Sequence, residues 1–381
     1  MKRILHDVIV IGAGPSGTTT ARHCALKGLD TLLIEKREFP RYKPCAGGIA
    51  QWAMSTLDFE LPRDLIEREW SGGRVVYKGR VAEAHKPFRV GILVSRPTFD
   101  DFLLTKAKEA GARTLLATDA RDYSVRPDHV EVATDKGLFR GRCVVIAEGA
   151  MGRLARRIRG PYGHGGASVT VTTEIESSAE EIESRTQGRI HVYFDVAHRG
   201  YGWIFPHDRY YSVGIGGLRR RIGNPIRLMR DFLTRLGFDD RQKLQSHFLP
   251  IGGFRRKVVD HRVILVGDAA GFVDAFVGEG IGYAVLSGKL AAETIYEALN
   301  QSGSSGTDLS AFQKRCNAHF GARLRQSFYI NTVLHSLPDV FLKILARQPE
   351  VIDTLINVAL WKMTYREFLL WFLPRIPRYL L

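Results

Sequence analysis

The stretch Gly12-Ala13-Gly14-Pro15-Ser16-Gly17 constrains this chain more than any other. It follows the β-branched apolar run Val8-Ile9-Val10-Ile11 and precedes a small-residue segment, 18–26, that reads as a helix. A G-x-G-x-x-G turn between strand and helix is the fingerprint of dinucleotide binding. Gly12 permits the tight turn, Gly14 lets the backbone approach a pyrophosphate, and Gly17 lets helix pack on strand. Pro15 and Ser16 stand in the first helical turn, where a proline lacks nothing and free N–H groups face an anion. A second strand over 31–34 ends in Glu35, an acceptor for an adenosine ribose, with Lys36 beside it.

The chain has 381 residues, enough for two domains with their own cores. The opening Met1-Lys2-Arg3-Ile4-Leu5 resembles a signal peptide, but cleavage would destroy the fingerprint, so it is expected to be retained. No apolar run approaches the ~18 residues of a membrane span. Four cysteines, at 24, 45, 143 and 316, share no C-x-x-C spacing and no grouping with histidine, so neither a metal site nor a disulfide framework is expected, and a reducing cytoplasm is the simplest location. The net charge of +15 gathers in Arg153-Arg156-Arg157-Arg159, in Arg219-Arg220-Arg221 and in Arg255-Arg256-Lys257. Such charge attracts an anionic membrane or an acidic protein donor, or simply solvates a basic face. No nucleic-acid recognition motif accompanies it.

After Glu35 a polar loop, 36–48, holds Cys45-Ala46-Gly47-Gly48. Its glycines let backbone pass close to a flat ring, and the Cys45 thiol could give a proton there or simply fill a turn. Residues 57–93 read as short strands and loops. Arg96 opens a helix to about 110, where it could brace phosphates or flavin, or form a surface salt bridge. A strand at 114–117, a meander over 122–139 and a strand at 143–147 return the chain to the first sheet. From 167 to 218 the hydropathy alternates with period two, the sign of an antiparallel sheet with one buried face. Within it Tyr201, Trp203 and Phe205 share one side, either as sheet core or as the wall of a pocket, and Pro206 follows. A helix is expected at 225–236.

The buried strand Val263-Ile264-Leu265-Val266 then runs into Gly267-Asp268, and Gly278-Glu279-Gly280-Ile281-Gly282 opens a helix of roughly eighteen residues. A carboxylate at a strand end can hold a ribitol hydroxyl, and a helix start can face a negative ring. NAD has no ribitol and FAD does, so the early fingerprint paired with a late strand-Gly-Asp points to FAD. The stretch 302–306 is a flexible break. Helices close the chain, the best of them over 350–363, and the apolar tail 368–381 carries Trp371 and Tyr379 among arginines.

These motifs resemble the geranylgeranyl reductase family, within the larger group of flavoproteins shaped like p-hydroxybenzoate hydroxylase. The larger group is matched at Gly12-x-Gly14-x-x-Gly17, Glu35, Arg96 and Gly267-Asp268; the narrower family at Cys45-x-Gly47-Gly48 and Tyr201-x-Trp203-x-Phe205-Pro206. The chain departs from the pattern where His198 replaces the first proline of the aromatic motif, and where Glu148-Gly149 stands for the hydroxylases' Asp-Gly. The resemblance implies an α/β fold: a Rossmann-like FAD-binding domain (1–150, with a small inserted segment at 50–95, and 256–300), an inserted antiparallel-sheet substrate domain (151–255) and a helical C-terminal region (301–381).

It implies reduction of isolated double bonds in a geranylgeranyl or polyprenyl chain on a lipid or quinone. FAD would be held by residues 12, 14–17, 35, 36, 45–47, 96, 267, 268, 278 and 280–282. The prenyl chain would lie against Tyr201, Trp203, Phe205, Pro206, Gly47 and Gly48, with Cys45 at the reacting edge. The reductant would be NAD(P)H, bound transiently because no second fingerprint exists, or ferredoxin. The C-terminal helices, with Trp361, Trp371 and Tyr379 beside Lys362, Arg366, Arg375 and Arg378, either dock the protein peripherally on a membrane or only cover its own core or substrate tunnel. The competing readings are a flavin monooxygenase and a membrane-docked flavoprotein that passes electrons to quinone.

Overall fold

A computed structural model describes residues 4–163, 166–198, 200–301, 308–334 and 338–380, so the expected break at 302–306 lies outside the described residues. The apolar runs become the centre of an eight-stranded sheet. Its order is Val259–Asp260, Val263–Leu265, Gly137–Ile146, Leu5–Ile11, Thr31–Ile34 and Arg113–Leu115, with the meander strands Ala120–Val125 and Val130–Thr134 paired off Gly137–Ile146. The four central pairings are parallel. Strands buried on both faces read as unbroken apolar runs rather than as alternation. Val8, Ile9 and Val10 are accordingly fully buried, as are Val144, Val145 and Ile146.

Three helices cover this sheet near the fingerprint. Pro15–Leu26 begins at the proline, with Gly14 as an N-cap that has no side-chain partner. It packs against Ile281–Gln301, the long helix after Gly280, and against Arg96–Glu109. The long helix has 21 residues, a little more than the periodicity predicts.

The second sheet has seven strands, ordered Gln245–Pro250, Ala167–Glu176, Tyr210–Leu218, Gly200–Pro206, Arg189–Tyr193, Gly72–Tyr77 and Arg80–His85. Its last two strands lie within the segment read as an insertion in the first domain. They join the second sheet because Gly72–Tyr77 pairs in parallel with Arg189–Tyr193, so this sheet is mixed rather than wholly antiparallel. The rest of that segment forms a small sheet of Gly48–Ala50, Gly91–Leu93 and Arg68–Trp70. One face of the large sheet is covered by the helix Pro225–Arg235, which buries Met229, Phe232 and Leu233 against Ile204, Val213 and Ile215.

The C-terminal helices close over Gly72–Tyr77 and Arg80–His85. Val351, Ile352 and Ile356 of helix Pro349–Ala359 share a cluster with Val75, Tyr77, Ala82 and Ala84. The single helix predicted over 350–363 is broken at its end. Trp361 adopts a left-handed conformation (φ 59°), and the N–H groups of Lys362 and Met363 both turn back to the Asn357 carbonyl. Thr364 and Glu367 then form a reciprocal capping box that starts Tyr365–Phe372. No helix among the described residues is long and apolar enough to cross a membrane.

Candidate active site

The fingerprint turn is packed tightly on one side and open on the other. Gly12 has φ +105°, and a Cβ there would lie 2.4 Å from the Ala147 carbonyl oxygen. A Cβ on Gly17 would strike the Gly12 carbonyl oxygen at 1.8 Å. At Gly14, by contrast, the nearest atom to a Cβ would be Arg41 Nη2 at 3.7 Å, so the helix start looks into space bordered by a guanidinium. Glu35 is buried, and its carboxylate accepts N–H groups of Ala13 (2.8 Å) and Arg37 (3.0 Å), which fixes it at the tip of its strand. Lys36 is exposed.

Positive charge gathers opposite this turn, partly from Arg41 and Lys43, two residues of the 36–48 loop that sequence reasoning did not single out. Arg96 is buried in a two-pronged pair with Asp100, both bonds at 2.8 Å, and Arg41 reaches the same carboxylate at 3.3 Å. Neither a surface salt bridge nor a lone phosphate clamp describes Arg96. Burial opposes its charge, but Asp100 and the hydrogen-bonded Cys45 hold its pKa above the ordinary arginine value. Lys43 Nζ lies 3.0 Å from His247 Nε2 and 4.0 Å from Asp268 Oδ2. Burial would raise Asp268, but the His247 contact and the Lys43 charge outweigh it and hold its pKa below the usual range. Three cations, Arg41, Lys43 and Arg96, thus meet two carboxylates, Asp100 and Asp268. The surplus positive charge suits a pyrophosphate. The alternation of arginine and lysine with proline in Pro40-Arg41-Tyr42-Lys43-Pro44 was the available signal.

The late cofactor motif converges on the same place. Gly267, whose N–H donates to Ser287 Oγ at 3.0 Å, sits against Ser16, whose Oγ is 2.7 Å from a Cβ at 267. Gly280 lies beside Asp268, with 3.4 Å from its Cβ position to Oδ1. Ile281 and Gly282 begin the long helix. An open cradle at Gly14, excess positive charge and a carboxylate at the helix entry together fit FAD.

The loop Cys45-Ala46-Gly47-Gly48 is held from beneath. The Gly47 N–H points to Cys45 Sγ at 3.4 Å, and the Ala46 carbonyl accepts a hydrogen bond from His207 Nε2 at 3.0 Å. Gly47 has φ +74°, and a Cβ there would lie 2.3 Å from the Val94 carbonyl oxygen and 2.9 Å from the His207 ring. His207 Nδ1 pairs with Glu67, which also accepts the Tyr210 hydroxyl at 3.1 Å. His207 and Glu67 escaped sequence reasoning because their partners are remote in the chain.

The aromatic strand faces these loops. Phe205 lies 2.9 Å from a Cβ at Gly48, and the Tyr201 hydroxyl 2.7 Å from a Cβ at Gly278. Trp203 is buried flat under Gly214, where a Cβ would come within 2.2 Å of its ring. Pro206 is also buried. The two alternatives for the aromatic face therefore divide: Trp203 is sheet core, whereas Tyr201 and Phe205 are only partly covered. A small cleft of about 30 Å³ opens beside Tyr201, bounded by Gly200, Gly216, Ile251, Asp274 and Gly278. Glu148, which replaces the hydroxylases' aspartate, spends one carboxylate oxygen on the N–H groups of Leu154 (3.0 Å) and Ala155 (3.2 Å).

The FAD binding domain family matches residues 6–214, more than half of the chain. Fold and site thus define an FAD-dependent flavoprotein. Relatives sharpen this: geranylgeranyl diphosphate reductase, chloroplastic, of Nicotiana tabacum is 30% identical over 81% of this chain and 69% of its own length. Digeranylgeranylglycerophospholipid reductase 2 of Methanosphaera stadtmanae is 28% identical over 87% and 88%. A geranylgeranyl bacteriochlorophyll reductase-like protein of Thermoplasma acidophilum shares the fold, with TM-score 0.82 and 23% identity over 96% of this chain and 98% of that one. The chain belongs to the geranylgeranyl reductase family and is an FAD-dependent oxidoreductase.

Proposed function

We propose that this chain saturates isolated double bonds of a geranylgeranyl or longer polyprenyl chain carried by a lipid or quinone. One observation carries the reading: the aromatic strand meets the cofactor-side loops directly, at Phe205 against Gly48 and at Tyr201 against Gly278. An isolated alkene offers no polar handle, so a site must hold it by apolar contact and by exclusion of water. Tyr201 and Phe205 supply that wall, Trp203 and Pro206 support it from the core, and Gly47 and Gly48 let the Cys45 loop pack closely on Val94, His207 and Phe205. FAD, when bound, supplies hydride chemistry. Gly12, Gly14, Pro15, Ser16 and Gly17 take its pyrophosphate end with Arg41 and Arg96, Glu35 and Lys36 its ribose end, and Asp268, Gly280, Ile281 and Gly282 its ribitol and ring. Two of the relatives above, each named as a reductase of a geranylgeranyl compound, support the substrate class.

The reductant is NAD(P)H or ferredoxin, delivered to a protein that docks on a membrane surface from the cytoplasmic side. The docking face differs from the one predicted. Trp361 stacks on Trp52 at 3.9 Å, and Tyr379 is buried with its hydroxyl on Glu350, so these aromatics serve the protein's own packing. Exposed Leu370 and Leu373, and exposed Lys362, Arg366 and Arg378 near them in the chain, remain for it. Anaerobic incubation of dithionite-reduced protein with a geranylgeranyl lipid tests the reaction. The expected product gains two hydrogens per bond; a product that forms only with oxygen would assign a monooxygenase instead.

A further inference from the structure

We propose that the carboxyl group of Glu279 is the acid that protonates the alkene, held at the junction between the cofactor residue Asp268 and the substrate wall at Tyr201. This role rests on the alkene-reductase reading above. Glu279 is flanked by Gly278, whose Cβ position is 2.7 Å from the Tyr201 hydroxyl, and by Gly280, whose Cβ position is 3.4 Å from Asp268 Oδ1. The backbone at Glu279 therefore runs between the cofactor residue Asp268 and the substrate wall at Tyr201, with the carboxyl reaching back to Trp52.

Its two carboxyl oxygens are treated unequally. Oε2 accepts the Trp52 indole N–H at 2.9 Å, while Oε1 is shut off from solvent and finds no well-formed hydrogen bond among the described residues, the Gly282 N–H lying near the carboxyl. A buried polar atom without a partner is costly. It is accounted for if that atom carries a proton meant for a group that binds there.

The surroundings keep the proton on Glu279 at neutral pH. Burial pushes its pKa up to about 8 and the charge of Asp274 adds to this, against the Trp52 indole, the Arg323 guanidinium and the Gly282 backbone N–H. The other acids facing this space are unsuited to the task. Asp274 is committed to the N–H groups of Phe276 and Val277 and to the hydroxyls of Tyr283 and Tyr365. Burial holds the hydroxyls of Tyr201, Tyr283 and Tyr365 well above the ordinary tyrosine value, which makes them poor proton donors.

The chemistry balances. Bound reduced FAD would supply the hydride for one alkene carbon, and the π pair forms the C–H bond at the other carbon as the Glu279 O–H bond breaks. The carboxylate left behind regains its proton from water once the product has gone. Cys45 then remains a loop residue beside Arg96 rather than the proton source.

The test compares wild type with Glu279→Gln, which keeps an acceptor for Trp52, and with Trp52→Phe, which removes a hydrogen bond that favours the carboxylate. In anaerobic single turnovers of dithionite-reduced enzyme with a geranylgeranyl lipid, the wild-type rate should fall as pH rises through about 8. Glu279→Gln, at wild-type FAD content, should lose on the order of a hundred-fold in rate together with that pH limb. Trp52→Phe should move the limb upward. Infrared difference spectra of oxidised, substrate-free enzyme should show a protonated-carboxyl C=O stretch that titrates with the same limb in wild type and is missing in Glu279→Gln. An unchanged rate and limb in Glu279→Gln, or no such band in wild type, would overturn the proposal while leaving the reductase reading intact. Absence of any saturated product from wild type would overturn that reading and this role together.

Discussion

His207 and Ala46 are joined across the two sheets by a hydrogen bond of 3.0 Å from ring Nε2 to the carbonyl oxygen. A carbonyl only accepts, so Nε2 carries the hydrogen, and Nδ1 is left for Glu67. The ring also stacks on Tyr210, with 4.3 Å between centroids. His207→Ala would strand the Ala46 carbonyl and the Glu67 carboxyl, a loss of about 1–3 kcal/mol in stability. It should also slow alkene reduction through a loosened Cys45–Gly48 loop, with FAD still bound. His207→Gln retains a donor and should recover most of both losses, as read by denaturant melts and single-turnover rates.

Gly14→Val separates folding from cofactor binding. Its Cβ position is open apart from Arg41 Nη2 at 3.7 Å, so the protein should fold with an unchanged circular dichroism spectrum. The same branched side chain would fill the cradle in which a pyrophosphate must lie against the backbone. The purified variant should be colourless where wild type is yellow. Full flavin occupancy in the variant would move the phosphate site elsewhere.

The aromatic strand should split into two kinds of effect. Trp203→Ala removes a buried indole beneath Gly214 and should cost roughly 3–5 kcal/mol of stability. Phe205→Ala, at a partly covered position against Gly48, should leave stability less affected and raise KM for the prenyl lipid. Denaturation midpoints set against KM and kcat decide the matter; equal effects at 203 and 205 would argue against a wall built from Tyr201 and Phe205.

Acid stability should be governed by two buried histidines. Burial lowers both His23 and His191 from 6.5 to about 4. Above pH 6.5 both states are neutral and nothing is lost. As pH falls from 6.5 toward 4 the unfolded chain takes up protons that the folded chain refuses, so stability decreases across that window and levels off below it. His191→Gln should flatten the decline in unfolding free energy measured between those two pH values.

Membrane docking should depend on the exposed leucines. Leu370 and Leu373 are 64% and 54% exposed, and Lys362, Arg366 and Arg378, near them in the chain, are exposed as well. Wild type should float with anionic vesicles at low salt and less so at high salt, because the attraction to lipid headgroups is screened. Replacing both leucines by Ser should abolish flotation. Absence of flotation by wild type at either salt would confine these residues to the protein's own surface.

The cofactor half of this protein was legible in the chain because its determinants are local. Gly12, Gly14 and Gly17 act through a turn of six residues, Val8–Ile11 and Val263–Leu265 announce buried parallel strands, and Asp268 and Gly280 are read from short motifs at element ends. Backbone conformation and strand burial are decided by neighbours in sequence, so they leave local signatures. The tertiary structure alone decided what depends on distant partners. It brought Gly72–Tyr77 into the second sheet beside Arg189–Tyr193, set Arg41 and Arg96 on one buried Asp100, and turned Trp361 inward onto Trp52. It also raised the Glu279 carboxyl's pKa, since its surroundings are composed of Trp52, Asp274 and Arg323, which come from three separate parts of the chain. A side chain's charge state and exposure follow from the dielectric and the groups packed around it, and those exist only once the chain has folded.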